Sequence, residues 1–205
     1  MANTREQIKK AWNWLWHSDS WLSYIVFLIL IFIFIKLIFF PGLSLILGTE
    51  LPMAIVESSS MSHNIVSNDQ GGYDLCGKYY EKQELTNKEE YWDICGKWYM
   101  DNTNLTQENR NSFSFPNGFS KGDLMIIVGK ENINIGDVIV FNGGSNHPII
   151  HRVIGLNPIQ TKGDHNNGQL AVEINIKQEQ IIGTAVAKIP FVGWVKLFFV
   201  ELFNR

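Results

Sequence analysis

The chain has 205 residues, with 17 Lys and Arg against 20 Asp and Glu and a formal net charge of −3. No global basic field results, which argues against nucleic acid as a partner. The length suits one domain of ordinary size with an anchor attached, and charge is distributed unevenly along it.

Residues 1–20 carry Arg5, Lys9 and Lys10 and an aromatic cluster, Trp12, Trp14 and Trp16, of the kind found at a membrane interface. Residues 21–40 form an apolar run with one charge, Lys36, near its end, where the side chain can snorkel. At about 1.5 Å per residue this run spans roughly 30 Å, the thickness of a hydrocarbon core. It is too long for a signal-peptide h-region, and no small-residue cleavage site follows it. An uncleaved transmembrane anchor over 21–48 is expected, ended or kinked at Pro41-Gly42 and extended at the outer interface by 43–47. Past the run come Glu50 and Glu57, with no Lys or Arg before Lys78, so the N-terminus is expected in the cytoplasm and residues 49–190 outside.

A short apolar run, 53–57, leads into Ser58-Ser59-Ser60-Met61. The polar block 64–120 contains a duplication: Tyr73-Asp74-Leu75-Cys76-Gly77-Lys78-Tyr79-Tyr80 recurs as Trp92-Asp93-Ile94-Cys95-Gly96-Lys97-Trp98-Tyr99. A weaker echo pairs Glu84-Leu85-Thr86-Asn87 with Asn104-Leu105-Thr106-Gln107. Two copies are too few for a solenoid, so the block reads as a duplicated hairpin or paired-loop insert. A tolerated surface insertion is the plainer reading, and a specificity lid or partner-docking module the functional one. Cys76 and Cys95 occupy equivalent positions and, outside the membrane, are disulfide candidates. Metal is disfavoured because His63 alone accompanies them. Asn104-Leu105-Thr106 fits the N-glycosylation pattern, making Asn104 a candidate acceptor.

Beyond residue 120, strand patterns over 123–128, 137–141, 149–156 and 181–189 are separated by glycine-containing breaks, and no helical alternation intervenes. A mostly-β domain is expected rather than a doubly wound sheet. The tail 191–205 is apolar and aromatic but interrupted by Lys196 and Glu201, and is expected to lie along the membrane as an amphipathic helix.

Chemistry concentrates in three places. Ser60 lies between an apolar strand and a turn, where its hydroxyl can be exposed, and serine needs a base to become a nucleophile. His151, in a predicted strand, can supply that base. Asp164, in a Gly-Asp turn, can accept from the other imidazole nitrogen. Ser58 can add a donor to a developing oxyanion.

Taken in order, Ser60-Met61, Lys121-Gly122-Asp123-Leu124, Gly136-Asp137-Val138-Ile139-Val140-Phe141, His151-Arg152-Val153-Ile154 and Thr161-Lys162-Gly163-Asp164-His165-Asn166 resemble the boxes of type I signal peptidases. The match is to the archaeal and endoplasmic-reticulum branch, in which histidine replaces the bacterial lysine. The resemblance covers about residues 50–190 apart from the insert, together with the anchor topology. It implies a signal-peptidase-like coiled β-sheet domain docked on a membrane, and a serine endopeptidase that removes signal peptides after small residues. Ser60 would be the nucleophile, His151 the general base, Asp164 the acidic partner and Ser58 the serine two before the nucleophile. No cofactor is implied. The partners would be secretory preproteins and the lipid bilayer, with the Sec translocon a further candidate; the site would be the cell membrane, or the endoplasmic-reticulum membrane in a eukaryote. The apolar surface near Ile55, Met61 and Ile126 would hold the small side chains beside the cut. Two departures stand out. The glycine of the family's Ser-Gly-Ser-Met box is Ser59, and the second aspartate that many relatives carry six residues after the first is Leu170, with Glu173 nearby as a substitute. The rival readings are a processing protease for a restricted set of surface proteins and a non-catalytic subunit of a secretion complex.

Overall fold

The computed structural model describes residues 2–65, 71–81, 90–129, 132–145 and 147–203. The chain divides into two compact units, Met1–Ile46 and Leu47–Arg205.

In the first unit, α1 (Ala2–His17) is followed by α2 (Trp21–Phe34), a π-helical turn (Ile35–Phe39) and α3 (Phe40–Leu47), which runs just past the unit's end. Ser20 caps α2, its hydroxyl accepting the Leu22 N–H, so the helix begins cleanly after the three-residue break at 18–20. The helical stretch Trp21–Leu47 has 27 residues and is long and apolar enough to cross a membrane. Pro41-Gly42 does not end the span: the helix passes through both. Proline cannot donate to the helical ladder, and the wider turn just before it, where the Phe40 N–H reaches back to the Ile35 carbonyl, accommodates the missing donor.

The second unit is built on an antiparallel sheet. Its strands are β1 (Met53–Ile55), β4 (Leu124–Val128), β5 (Val138–Phe141), β6 (Ile149–Leu156), β7 (Ile159–Lys162) and β8 (Ile181–Ile189), in the order β1-β4-β8-β5-β6-β7. Between β1 and β4 come the hairpin β2 (Tyr73–Leu75) and β3 (Lys78–Tyr80), then α4 (Glu90–Asn102) and the single turn α5 (Gln107–Arg110). The helix α6 (Trp194–Phe203) follows β8.

The mostly-β expectation holds, and the four strands read from alternation appear within a residue of their expected bounds. β7 was not anticipated; four residues ending in lysine carry little periodic signal. Register shifts at Ile126/Ile127, Val140/Phe141 and Val153/Gly155 bend the sheet. Every residue of the central β5 is buried. Val138 packs with Val56, Met61, Phe119, Met125 and Ala185, while Ile139 and Phe141 pack with Val153 and Ile176. The strand's alternation therefore feeds two separate apolar clusters, one on each face.

The insert departs from its expected form. The first copy of the duplicated motif is the hairpin β2–β3, turning at Cys76 (φ 50°) and Gly77 (φ 76°), but the second copy is part of α4. Tertiary contacts override the shared local sequence. In α4, Tyr91, Trp92, Cys95 and Tyr99 all fall on the buried side, and Trp92 and Tyr99 pack with Leu105, Phe113 and Ile154 of β6. A disulfide joins Cys76 to Cys95, nineteen residues apart. Among the described residues, α4 packs the insert into the domain core rather than leaving it on the surface. The echo at 84–87 lies outside the described residues.

Candidate active site

Ser60 is brought to the sheet by main-chain pairing that continues beyond β1. The Val56 N–H donates to the Asp123 carbonyl, Gly122 N–H donates to the Val56 carbonyl, and a turn closes between Ser59 and Ser62. Ser60 is half-buried and Ser58 exposed, with their hydroxyl oxygens 3.1 Å apart. His151 sits in β6 opposite Ile139 of β5, only 4% exposed, so its ring is fixed by the centre of the sheet.

The two elements meet where the sequence placed the chemistry: Ser60 Oγ is 2.9 Å from His151 Nε2. The opposite ring nitrogen, Nδ1, lies 2.5 Å from Oε1 of Glu173, a carboxylate with no solvent exposure. A carboxylate can only accept, so Nδ1 carries the proton and the Nε2 lone pair faces the Ser60 hydroxyl. Glu173 closes a short 3₁₀ turn, Ala171–Glu173. Its Oε1 also accepts from the Thr161 hydroxyl at 3.0 Å, and its Oε2 accepts from the Leu170 N–H at 2.7 Å. Donors on both oxygens fix the buried carboxylate in orientation.

Asp164 was expected to hold the imidazole, and it does not reach it. The turn after β7 aims the carboxylate at Arg152, the residue after His151, whose side chain leaves the opposite face of the strand. Arg152 donates to Asp164 through Nε (2.9 Å) and Nη2 (2.7 Å). His63 Nε2–H donates to Oδ2 at 2.8 Å and the Tyr99 hydroxyl to Oδ1 at 2.8 Å. Burial by itself would raise the Asp164 pKa. The Arg152 guanidinium and the hydrogen bonds from His63 and Arg152 outweigh that effect and hold the carboxyl well below the usual range. Arg152 is fully occupied, donating also to the carbonyls of Ser114, Gly136 and Phe115. Burial lowers the pKa of His63, and the Asp164 carboxylate opposes that only in part.

Gly163 explains why glycine precedes that aspartate. A Cβ there would stand 2.8 Å from His151 Nε2, on the nitrogen that faces Ser60. Beside it, Lys162 is fully buried, its ammonium donating to the Gly163 carbonyl at 2.9 Å and lying 5.0 Å and 4.9 Å from the Trp98 and Tyr99 ring centres. Burial depresses its pKa to about 8, against the opposing charges of Asp164 and Glu173.

Of the expected site residues, the structure therefore brings Ser58, Ser60 and His151 together and sets Asp164 apart with Arg152 and His63. Cys76 touches the site's edge, its Sγ 3.6 Å from the Asp164 carbonyl oxygen. Asn104 is exposed in the loop between α4 and α5. Among the described residues no cluster of His, Cys, Asp and Glu could hold a metal.

No family model matches the chain. It is similar to signal peptidase complex catalytic subunits of fungi. The sec11 subunit of Pyrenophora tritici-repentis is 33% identical over 108 residues, which cover 44% of this chain and 61% of that protein. The subunits of Pyricularia oryzae and Sclerotinia sclerotiorum are each 34% identical, over 106 and 109 residues, with the same coverage. The chain spans about three fifths of the length of these relatives. The likeness falls on the same branch as the order of sequence boxes.

Proposed function

We propose that the chain is a membrane-anchored serine endopeptidase that removes signal peptides from secretory preproteins after small residues. The observation that carries this reading is the unbroken relay from Ser60 Oγ through His151 to buried Glu173. The similarity to signal peptidase catalytic subunits supports the substrate class.

Ser60 Oγ attacks the scissile carbonyl while its proton passes to His151 Nε2. Glu173 stabilises the resulting imidazolium through Nδ1–H. The oxyanion is met by the Ser60 N–H and the Ser58 hydroxyl. His151 then protonates the leaving amine, and an acyl-enzyme remains on Ser60. Water, deprotonated by His151, attacks that ester and restores the serine, so the peptide bond is exchanged for an acid and an amine with no cofactor. Half-buried Ile55 and Ile126 share one face of the β1–β4 pair and are the apolar surface against which small side chains are read, whereas Met61 is buried with Met125 on the other face. The anchor holds this site at the membrane surface, where signal peptides end, with the N-terminus in the cytoplasm.

The test is cleavage of a panel of preproteins by the membrane-embedded chain. Cutting after a small residue, lost in both Ser60→Ala and His151→Ala, supports the reading. A wild-type chain that cuts no preprotein in lipid contradicts it.

A further inference from the structure

The insert contributes to the site from behind. Asp164 accepts four hydrogen bonds; two come from Arg152 and one from His63, near the serine, but the fourth comes from Tyr99 of α4. The same short turn meets the nucleophile's main chain. The His165 N–H donates to the Ser60 carbonyl at 2.8 Å, and the Asp164 N–H approaches Met61 Sδ at 3.4 Å. It also meets the base, through Gly163. On its far side, Lys162 contacts the Gly163 and Asp164 carbonyls and is enclosed by Trp98 and Tyr99. Cys76 Sγ lies against the Asp164 carbonyl, and its disulfide partner Cys95 is in α4. The segment 163–165 is therefore clamped between the active serine and the insert.

We propose that Tyr99 is a positioning residue for the proteolytic reaction, its hydroxyl holding Asp164 so that the 163–165 turn fixes Ser60 opposite His151. The disulfide keeps α4, and with it Tyr99, in place. The inference rests on Ser60 acting as the nucleophile. An attacking oxygen displaced by about 1 Å can cost roughly a hundredfold in rate. Losing one of four donors shifts the carboxylate less than that, so a fall of about tenfold is expected.

Tyr91 provides a matched control. It lies on the same helix and is equally buried, but its hydroxyl has no hydrogen-bond partner among the described residues. The experiment measures kcat and KM on a preprotein for the full chain in lipid, normalised to sites titrated by a fluorophosphonate. The chains compared are wild type, Tyr99→Phe, Tyr91→Phe and Ser60→Ala. The expected result is a fall of about tenfold in kcat per titrated site for Tyr99→Phe, with KM within about twofold and Tyr91→Phe at wild-type rate. A purely structural contribution would lower the number of titrated sites and leave kcat per site intact, which overturns the proposal. So does an equal fall in both tyrosine variants. Reduction of the Cys76–Cys95 disulfide removes a restraint on α4 without substituting any side chain. A reversible fall in kcat per site supports the proposal, and an unchanged kcat in the fully reduced chain overturns the role given to the disulfide. If Ser60→Ala cleaves like wild type, the nucleophile assignment itself has failed, and the tyrosine comparison is not the cause.

Discussion

Replacing Glu173 with glutamine changes one atom type at the end of the relay, and the structure limits what that atom can do. All three neighbours of the carboxylate supply protons: His151 Nδ1–H and the Thr161 hydroxyl to Oε1, and the Leu170 N–H to Oε2. The new amide therefore finds no acceptor at Leu170, and on the other side finds one only if the Thr161 hydroxyl turns or the imidazole moves its proton to Nε2. If its nitrogen faces Leu170, a buried N–H loses its acceptor, at a cost of about 1–3 kcal/mol in stability. If it faces His151, the imidazole must accept at Nδ1 and carry its proton on Nε2, where it can no longer take the Ser60 proton. The analogous change in serine triads costs about 10⁴ in kcat, so Glu173→Gln is expected to lose between about 10² and 10⁴, with KM little changed. Asp164→Asn is the contrast. It does not touch His151, but it leaves Arg152 buried with a weakened partner, and removing a partner from such a pair costs about 3–5 kcal/mol of stability. The assay is preprotein cleavage by titrated enzyme in lipid alongside thermal denaturation of both variants. Wild-type kcat in Glu173→Gln, with the activity lost in a folded Asp164→Asn, would refute the assignment.

Three further outcomes follow from the same geometry. Gly163→Ala places a Cβ 2.8 Å from His151 Nε2, so kcat is expected to fall by about tenfold or more while the thermal midpoint moves little; unchanged kcat would mean the imidazole has room to give way. Acid should destabilise the fold in two stages, read as thermal midpoints from pH 8 downward. His63 has a folded pKa below its ordinary 6.5, so the unfolded chain takes up a proton first and stability falls as pH drops below 6.5. Asp164, held below its ordinary 3.8, gives stability that is full above about pH 4 and is lost below it. His63→Gln removes the first stage and, by changing a donor to Asp164, also weakens the second; a midpoint that rises between pH 7 and 5 in the wild type would contradict this assignment. Cys76→Ala with Cys95→Ala opens a loop of nineteen residues and is expected to cost about 3 kcal/mol in denaturant unfolding; a loss near zero would mean that packing alone holds α4.

Ser60 and His151 were legible in the sequence because each sits at a strand whose apolar pattern is strong, and because the order of the boxes around them is distinctive. Glu173 was harder to see. It lies in a one-turn 3₁₀ segment 22 residues beyond the histidine, and its approach to Nδ1 depends on how β7 and the following loop return across the sheet. The only local signal was Leu170 standing where many relatives carry an aspartate, with a carboxylate three residues on. Asp164 was misplaced for a related reason. The Gly-Asp turn fixes its position in the chain, but the face of β6 it meets is set by β7, a strand too short to read. The duplicated motif does not carry one structure: the copies agree at Asp, Cys, Gly, Lys and the final Tyr, yet one turns at Cys76-Gly77 and the other buries Trp92, Cys95 and Tyr99 along a helix.

Peptide mapping of the membrane-embedded chain after reaction with a peptidyl phosphonate bearing alanine at the position of the cut tests the central assignment most directly. The account predicts a single adduct on Ser60, formed at a rate that collapses in His151→Ala. An adduct on another serine, or active cleavage that the reagent neither labels nor inhibits, would contradict it.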